Sequence, residues 1–180
     1  MSDVRTQADL DVDDDYDEVP EAREIPRWRP ITAFVLSVVG FGISMYLTID
    51  HFQGIVPICS SKGFVNCALV TTSKYSHILG IPVALLGLLF FTAMVGINWP
   101  PLWRARSPWV ARGRLALAVS GVCFVLYLLA AELFSIKAIC LWCTGVHITT
   151  FLLFVLVMSS YPLMSGRAQF QEWEEDVEEA

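Results

Sequence analysis

Four long apolar runs without Asp, Glu, Lys or Arg limit the folds that this chain can adopt. They cover residues 30–49, 75–103, 115–131 and 138–166. A helix needs about 20 apolar residues to cross about 30 Å of hydrocarbon, and each run approaches or exceeds that length. Hydrophobic residues make up 55% of the chain and charged residues only 17%, unlike a soluble domain. The sequence therefore predicts an all-α membrane protein with a four-transmembrane-helix bundle.

The positions of arginine and lysine predict the orientation of this bundle. All nine arginines lie before the first helix, between the second and third, or after the fourth, whereas Lys62, Lys74 and Lys137 lie in the two other loops. Positive charge concentrates in cytoplasmic segments. We therefore expect both termini in the cytoplasm, with the protein multi-pass in the cytoplasmic membrane and the two lysine-containing loops on the extracytoplasmic side.

Acidic residues concentrate at the two ends of the chain and produce its net charge of −6. We expect an acidic, disordered cytoplasmic tail over 1–28, a membrane domain over 29–161 and an acidic cytoplasmic tail over 162–180. The acidic start predicts no cleavable signal peptide. No feature suggests nucleic-acid binding, because the arginines lie where topology alone would place them.

Local signals predict the limits of the helices. The second helix is expected from about Ile78 to Asn98, with Pro82 in its first turn, and the third from Leu115 to about Phe134. In the first helix, Gly40, Gly42 and Ser44 are small enough to allow close helix packing. Three polar residues near the outer boundary are expected to be solvated there, with a proton-handling role as the alternative for each; they are Asp50, His51 and Glu132.

Four of the five cysteines form two pairs in or beside the outer loops, where disulfides can persist. Cys140 and Cys143 form a Cys-x-x-Cys motif, whose disulfide suits thiol exchange better than bracing. We expect Cys140 in the first turn of the fourth helix, where the helix N-terminus stabilises a thiolate. Cys143 and His147 follow on the same helical face. Cys59 and Cys67 are expected to form the redox partner pair.

Less specific interpretations of these residues remain open. Cys59 and Cys67 could form a structural disulfide, and Cys140 and Cys143 could be a static brace. Zinc binding by the four cysteines is disfavoured by the Cys-x7-Cys spacing, so no metal is expected. His147 could be a polar residue satisfied within the bundle. Cys123, in the middle of a helix, is expected to be a small buried hydrophobe.

The order and spacing of several motifs resemble the vitamin K epoxide reductase (VKOR) family. These motifs are the two cysteine pairs, Val70 and Ser73, the stretch Gly-Ile-Pro-Val-Ala-Leu-Leu-Gly from Gly80, and Ser44-Met-Tyr-Leu-Thr48. The resemblance covers about residues 30–160, and the 44–48 segment is similar to its bacterial members. It implies a four-helix bundle around a quinone, capped by a cysteine loop. It also implies that Cys59 and Cys67 are a shuttle pair, Cys140 and Cys143 the active-site pair, and Ser73 a residue near the quinone.

Bacterial members oxidise a secreted, DsbA-like thioredoxin-fold protein and reduce membrane quinone. The resemblance therefore implies a quinone-dependent thiol–disulfide oxidoreductase that supports disulfide bond formation, with menaquinone or ubiquinone as electron acceptor. No fused thioredoxin-like domain follows the fourth helix, so the carrier is expected to be a separate protein. His147 occupies the position at which vertebrate members have tyrosine, so their contact with the quinone carbonyl need not carry over to this chain. We expect His147 to contact a quinone carbonyl because helical spacing places it on the same face as Cys143.

Two other functions fit parts of the sequence. A convergent DsbB-type quinone oxidase also uses two cysteine pairs, but its Cys-x-x-Cys precedes the second helix, whereas here it comes last. A non-enzymatic membrane assembly or transporter subunit would use the disulfides only to brace its outer face. Quinone reduction by the purified protein would distinguish an enzyme from such a non-enzymatic subunit.

Overall fold

The computed structural model describes residues 25–59, 65–103 and 107–178, and four long or apolar helices form its bundle. Residues 1–24 of the predicted acidic tail (1–28) and the loop residue Lys62 lie outside the described residues. The helices are α1 (Trp28–Gln53), the short α2 (Cys67–Thr71), α3 (Val83–Ile97), α4 (Pro108–Ala130), which continues as a π-helical turn (Ala131–Ile136), and α5 (Leu141–Glu178). Single 3₁₀ turns cover Lys74–Ser76 and Pro100–Trp103.

Three helical segments are long and apolar enough to cross a membrane, judged by length and composition. They are Trp28–Gln53, Pro108–Ile136 and Leu141–Leu163, and α3 is a shorter apolar helix of 15 residues. The predicted fold class, an all-α membrane bundle, is confirmed. The last helix continues beyond the expected domain boundary at residue 161, as far as Glu178.

The second helix begins five residues later than its sequence predicts. His77–Ile78 (β1) and Ile81–Pro82 (β2) instead pair as a small antiparallel hairpin. Its turn places Leu79 and Gly80 at φ values of 54° and 81°, a left-handed conformation that interrupts a helix. Pro82 consequently precedes α3 rather than lying in its first turn. The hairpin shortens α3 and adds backbone structure above it.

Close packing of α1 against α3 depends on one of the three predicted small residues in particular. A side chain at Gly40 would collide with the buried ring of Phe91 on α3, so glycine lets the two helices approach. Ser44 is also buried, as predicted. Gly42 is exposed and has open space around its Cα, so its predicted packing role is wrong. Helix α1 also packs along α5, which in turn contacts α4.

Two arginines join helices at the end of the bundle opposite the cysteines. Arg29 of α1 donates a hydrogen bond to the carbonyl oxygen of Ser159 in α5 at 3.1 Å. Arg114 of α4 donates to the carbonyl oxygen of Ile97, the last residue of α3, at 2.7 Å and lies 4.2 Å above the Trp103 ring. Cations near a helix C-terminus compensate its partial negative charge. Arg114 therefore compensates the C-terminal end of α3, whereas Arg29 joins the first turn of α1 to the middle of α5.

Candidate functional site

The first cysteine pair is a disulfide between the loop after α1 and the start of α2. Cys59 and Cys67 are bonded, with their Cα atoms 6.2 Å apart. Asn66 caps α2 by accepting a hydrogen bond from the backbone N–H of Leu69 at 3.0 Å, which fixes the position of the next residue, Cys67. Cys67 is buried, whereas Cys59 is only partly buried. The two sulfurs of this disulfide therefore differ in access to the outside.

The second pair, Cys140 and Cys143, is a reduced dithiol at the start of α5. The Cys140 carbonyl accepts hydrogen bonds from the backbone N–H and the hydroxyl of Thr144, at 2.8 and 2.9 Å. Cys140 is thus the residue before the helix rather than part of its first turn, a difference of one position from the sequence prediction. The backbone N–H of Cys143 donates to the Cys140 sulfur at 3.4 Å.

This arrangement stabilises a thiolate at Cys140. A hydrogen bond from the Cys143 side chain, helped by the backbone N–H groups of Trp142 and Cys143, lowers the pKa of Cys140 to about 7 against the opposing effect of burial. The thiolate is the form that attacks a disulfide. The predicted environment of a reactive cysteine at the N-terminus of a helix is therefore present, although Cys140 is buried.

Both cysteine pairs belong to one packed cluster. Cys67 and Cys140 are buried in it together with Val70 and Ala138. Cys59 and Cys143 pack against the same cluster. The tertiary structure therefore brings the pairs together, as the sequence analysis expected for redox partners.

One strand-like contact joins the end of the disulfide loop to the segment before Cys140. Val65 forms an isolated parallel bridge with Ile139, and the backbone N–H of Asn66 donates to the Ile139 carbonyl at 3.1 Å. These bonds lie directly before Cys67 on one segment and before Cys140 on the other. They hold the two buried cysteines in register.

A second contact holds the beginning of the same loop. The indole N–H of Trp142 donates to the carbonyl of Ile58 at 3.1 Å, and the Tyr46 hydroxyl accepts from the backbone N–H of Ile58 at 3.2 Å. The rings of Tyr46 and Trp142 also pack together, with centroids 4.7 Å apart. Both backbone groups of the residue before Cys59 are therefore held by aromatic side chains. Sequence reasoning missed this pair, whose only signal was an amphipathic aromatic residue inside the Cys-x-x-Cys.

A cavity of about 550 Å³ lies among the four bundle helices beside this cluster. Its wall is mostly apolar and includes Cys143, the one cysteine of the described segments that lines it. Ser73 and His147 also line it, so all three of these predicted residues share one cavity. Its size and its few polar groups are typical of a small-molecule site.

The two predicted polar residues of this wall differ in how they are bonded. The Ser73 hydroxyl donates to the Val70 carbonyl at 2.8 Å, which ties the segment after α2 to that helix. His147 is buried one turn below Cys143, and no hydrogen bond to its ring is found in the described part of the chain. Its ring nitrogens are therefore available to a bound molecule.

Two carboxylates contradict the expectation that they are solvated. Asp50 and Glu132 are only 7% and 5% exposed, and both line the cavity. The prediction failed because position near the end of an apolar run does not reveal which way a side chain faces. His51, which also lines the cavity, is only partly buried.

Cys123 is exposed on the outer surface of α4, so its predicted burial is wrong. A cysteine in an apolar span satisfies the same sequence pattern whether it faces lipid or protein. Within the described segments, no group of three or more His, Cys, Asp or Glu side chains is arranged to hold a metal ion. The cysteines are instead divided between a disulfide and a dithiol.

Comparison with known proteins agrees with this geometry. A search of curated proteins finds no match. The model of the vitamin K epoxide reductase family matches residues 31–158, which include nearly all of α1, all of α2, α3 and α4, and α5 as far as residue 158. With a paired disulfide and dithiol beside an apolar cavity, the chain belongs to the vitamin K epoxide reductase family of membrane thiol–disulfide oxidoreductases.

Proposed function

We propose that this protein reoxidises a secreted, DsbA-like dithiol carrier and passes the electrons through its two cysteine pairs to a membrane quinone. The observation that carries this proposal is the shared cluster of the Cys59–Cys67 disulfide and the Cys140/Cys143 dithiol, with Cys143 in the wall of an apolar cavity. A disulfide that only braced the outer face would need neither a second, reduced pair nor a cavity beside it.

Electron entry takes place at the loop disulfide. The carrier dithiol reduces the Cys59–Cys67 bond through a mixed disulfide and leaves as an oxidised carrier, so two electrons and two protons enter the loop pair. Cys59 is the more accessible sulfur, because Cys67 is buried against Cys140. We therefore assign the carrier contact to Cys59 and the internal contact to Cys67, an alternative that the sequence leaves open.

Internal transfer exchanges one disulfide for another. The Cys67 thiolate attacks the Cys140 sulfur of an oxidised Cys140–Cys143 pair and releases Cys143 as a thiolate. Cys59 then attacks the Cys67 sulfur of the resulting Cys67–Cys140 disulfide and releases Cys140. The Cys59–Cys67 bond forms again and the Cys140/Cys143 pair becomes a dithiol, which is the redox state of this structure. A thiolate at Cys140 is a good leaving group, because leaving-group ability increases as the pKa falls.

Bound quinone supplies a two-electron, two-proton acceptor, and the residues of the cavity fit it. Cys143 lies in the wall next to the expected ring, and closing the Cys140–Cys143 disulfide releases the two electrons. We assign Ser73 and His147 to quinone binding because both line the cavity. The His147 ring can hydrogen-bond a carbonyl oxygen, whereas the Ser73 hydroxyl also stabilises the segment after α2.

The function is tested with purified protein in nanodiscs, a reduced thioredoxin-fold carrier and menadione, followed by quinone absorbance. Cys59→Ala, Cys67→Ala, Cys140→Ala and Cys143→Ala should each abolish carrier-dependent reduction. Cys123→Ala is the matched control, since this exposed cysteine lies away from the cluster. Full activity in a loop variant would make the Cys59–Cys67 bond a structural brace.

The assignment of sulfurs has its own test. With Cys59 and Cys143 both replaced by alanine, Cys67 and Cys140 should form a disulfide under mild oxidation, which mass spectrometry would detect. The matched variant lacking Cys67 and Cys143 should form the Cys59–Cys140 bond much more slowly. Equal rates would contradict the assignment.

We also propose that both termini are cytoplasmic and that the cysteine loop is outside, on the basis of arginine and lysine placement. Membrane-impermeant thiol reagents should label the reduced loop pair in intact cells but leave a cysteine tag at either terminus unlabelled. External labelling of a terminal tag would exclude this topology.

A further inference from the structure

Glu132 lies where the helical path of α4 changes. Residues Ala131–Ile136 form a π-helical turn. This widened helical geometry is rare in proteins, and where it occurs it often lies at a functional site. Within this turn Glu132 is 5% exposed, whereas the apolar neighbours Leu133 and Phe134 are 50% and 80% exposed. The turn therefore directs a carboxylate into the bundle and two apolar side chains outward, the arrangement expected of a membrane helix whose outer surface meets lipid.

The Glu132 carboxylate lines the cavity, and no lysine or arginine of the described segments forms an ion pair with it. Burying a carboxylate without a partner is costly, so this placement is unfavourable for stability alone. Ionisable groups that persist at membrane depth are most often functional.

The nearest chemistry is that of the two thiols. Glu132 and Cys143 line the same cavity, and Glu132 interacts electrostatically with both Cys143 and Cys140. Cys143 can react only as a thiolate, and its proton needs an acceptor inside a wall that is otherwise mostly apolar. A neighbouring carboxylate is a suitable general base, and once protonated it is a suitable acid.

We propose that Glu132 is the proton-transfer residue of the dithiol centre: it accepts the Cys143 thiol proton and returns it to a ring oxygen of the bound quinone. The proposal rests on the proposed function. Closing the Cys140–Cys143 bond releases two electrons and two protons, and both electrons go to the ring. Glu132 carries one of the two protons, the one from Cys143, to the ring. The Cys140 proton is released to water at the outer face, and the second ring oxygen takes up one proton from the same water.

Several other titratable groups surround Glu132 and must be considered in any pH dependence. Asp50 is the most important, because it is buried, lines the same cavity and has an Oδ2 atom without a hydrogen-bond partner. The groups that face the cavity or the dithiol from the surrounding segments are Asp50, His51, Tyr75, Cys140, Cys143 and His147. A shift in a pH profile is therefore assigned to Glu132 only if substitution at 132 removes it.

The test separates the quinone step from thiol exchange. The full-length protein, reduced in nanodiscs, is mixed with menadione in a stopped-flow instrument over a range of pH. Glu132→Gln should slow this single turnover about a hundredfold and flatten its pH profile, and Glu132→Asp should recover part of the rate. Phe134→Leu, in the same turn but facing outward, should match the parent protein.

Exchange between the loop pair and the Cys140/Cys143 pair should remain normal in Glu132→Gln, since that step does not use the quinone. If the parent protein reduces menadione and Glu132→Gln does so equally fast with the same pH profile, the inference is wrong while the proposed function stands. If the parent protein does not reduce menadione, the proposed function itself fails.

A second measurement uses the parent protein and therefore does not depend on whether a Glu132 variant folds. A redox-induced infrared difference spectrum of the parent protein should show a carboxyl group that changes protonation when the dithiol is oxidised. Asp50→Asn assigns the band, because a signal from Glu132 persists in that variant. Loss of the band in Asp50→Asn, or no carboxyl band in the parent protein, would overturn the proposal.

Discussion

The indole N–H of Trp142 and the carbonyl oxygen of Ile58 are joined by a 3.1 Å hydrogen bond across 84 positions of sequence. Trp142 lies between the two cysteines of the dithiol, and Ile58 precedes the first cysteine of the disulfide. The bond therefore links the two pairs directly. Tyr46 completes the link by holding the backbone N–H of Ile58 and packing on the Trp142 ring.

Trp142→Phe should slow exchange between the two pairs. The substitution keeps an aromatic ring against Tyr46 but removes one hydrogen bond, worth about 1 kcal/mol, so we expect about a fivefold lower rate. Rapid mixing of protein oxidised in both pairs with excess reduced carrier, followed by quenching, alkylation and mass spectrometry of the Cys140 and Cys143 thiols, measures this step. Menadione reduction by the prereduced protein is the control and should stay normal. An unchanged exchange rate would show that the Val65–Ile139 bridge alone positions the loop.

The bundle itself could be predicted from the sequence because length and polarity along a helix are one-dimensional properties. Runs without charge predict the spans. Arginines flank these runs, and two of them, Arg29 and Arg114, join neighbouring helices at the end of the bundle opposite the cysteines. The start of α3 could not be predicted in the same way. Ile78 and Ile81 are as apolar as a helix requires, and only their pairing as a hairpin removes them from it.

Alkylation of Cys140 should depend on pH near neutrality. The hydrogen bond from the Cys143 side chain lowers the pKa of Cys140 to about 7, so the thiolate predominates above that pH and decreases about tenfold per unit below it. The rate of iodoacetamide labelling, resolved by mass spectrometry, should follow this curve. Cys143→Ala removes the largest cause and should move the curve to higher pH. A curve unaffected by that substitution would contradict the hydrogen-bond explanation.

Gly40→Ala should destabilise the bundle. The added Cβ would collide with the buried Phe91 ring, and overpacking of this kind costs about 1–3 kcal/mol. Gly42→Ala is the matched control on the same helix, because nothing lies within 4 Å of its Cβ position. Thermal unfolding in detergent measures both. Equal melting temperatures for the two variants would show that α1 and α3 can separate without loss.

The candidate site was predictable where helical periodicity alone determines it. Three- and four-residue spacing places Cys143 and His147 on one face, and the structure places both in the cavity wall. Asp50 and Glu132 were not predictable, because their burial depends on packing between helices and, for Glu132, on the π-helical turn. Cys123 has the same limitation in reverse: its sequence surroundings are apolar, but it faces outward.

His147→Phe should slow quinone reduction while leaving thiol exchange intact. The ring lines the cavity one turn below Cys143, so phenylalanine keeps the shape but removes a hydrogen bond to a quinone carbonyl. Loss of such a bond costs about 1–3 kcal/mol, which corresponds to a tenfold to hundredfold lower rate. Single-turnover oxidation of the prereduced protein by menadione measures this effect, and His147→Gln should recover part of it by supplying an amide donor. If the phenylalanine variant matches the parent protein, His147 only packs within the bundle, and Ser73 becomes the next candidate for the carbonyl contact.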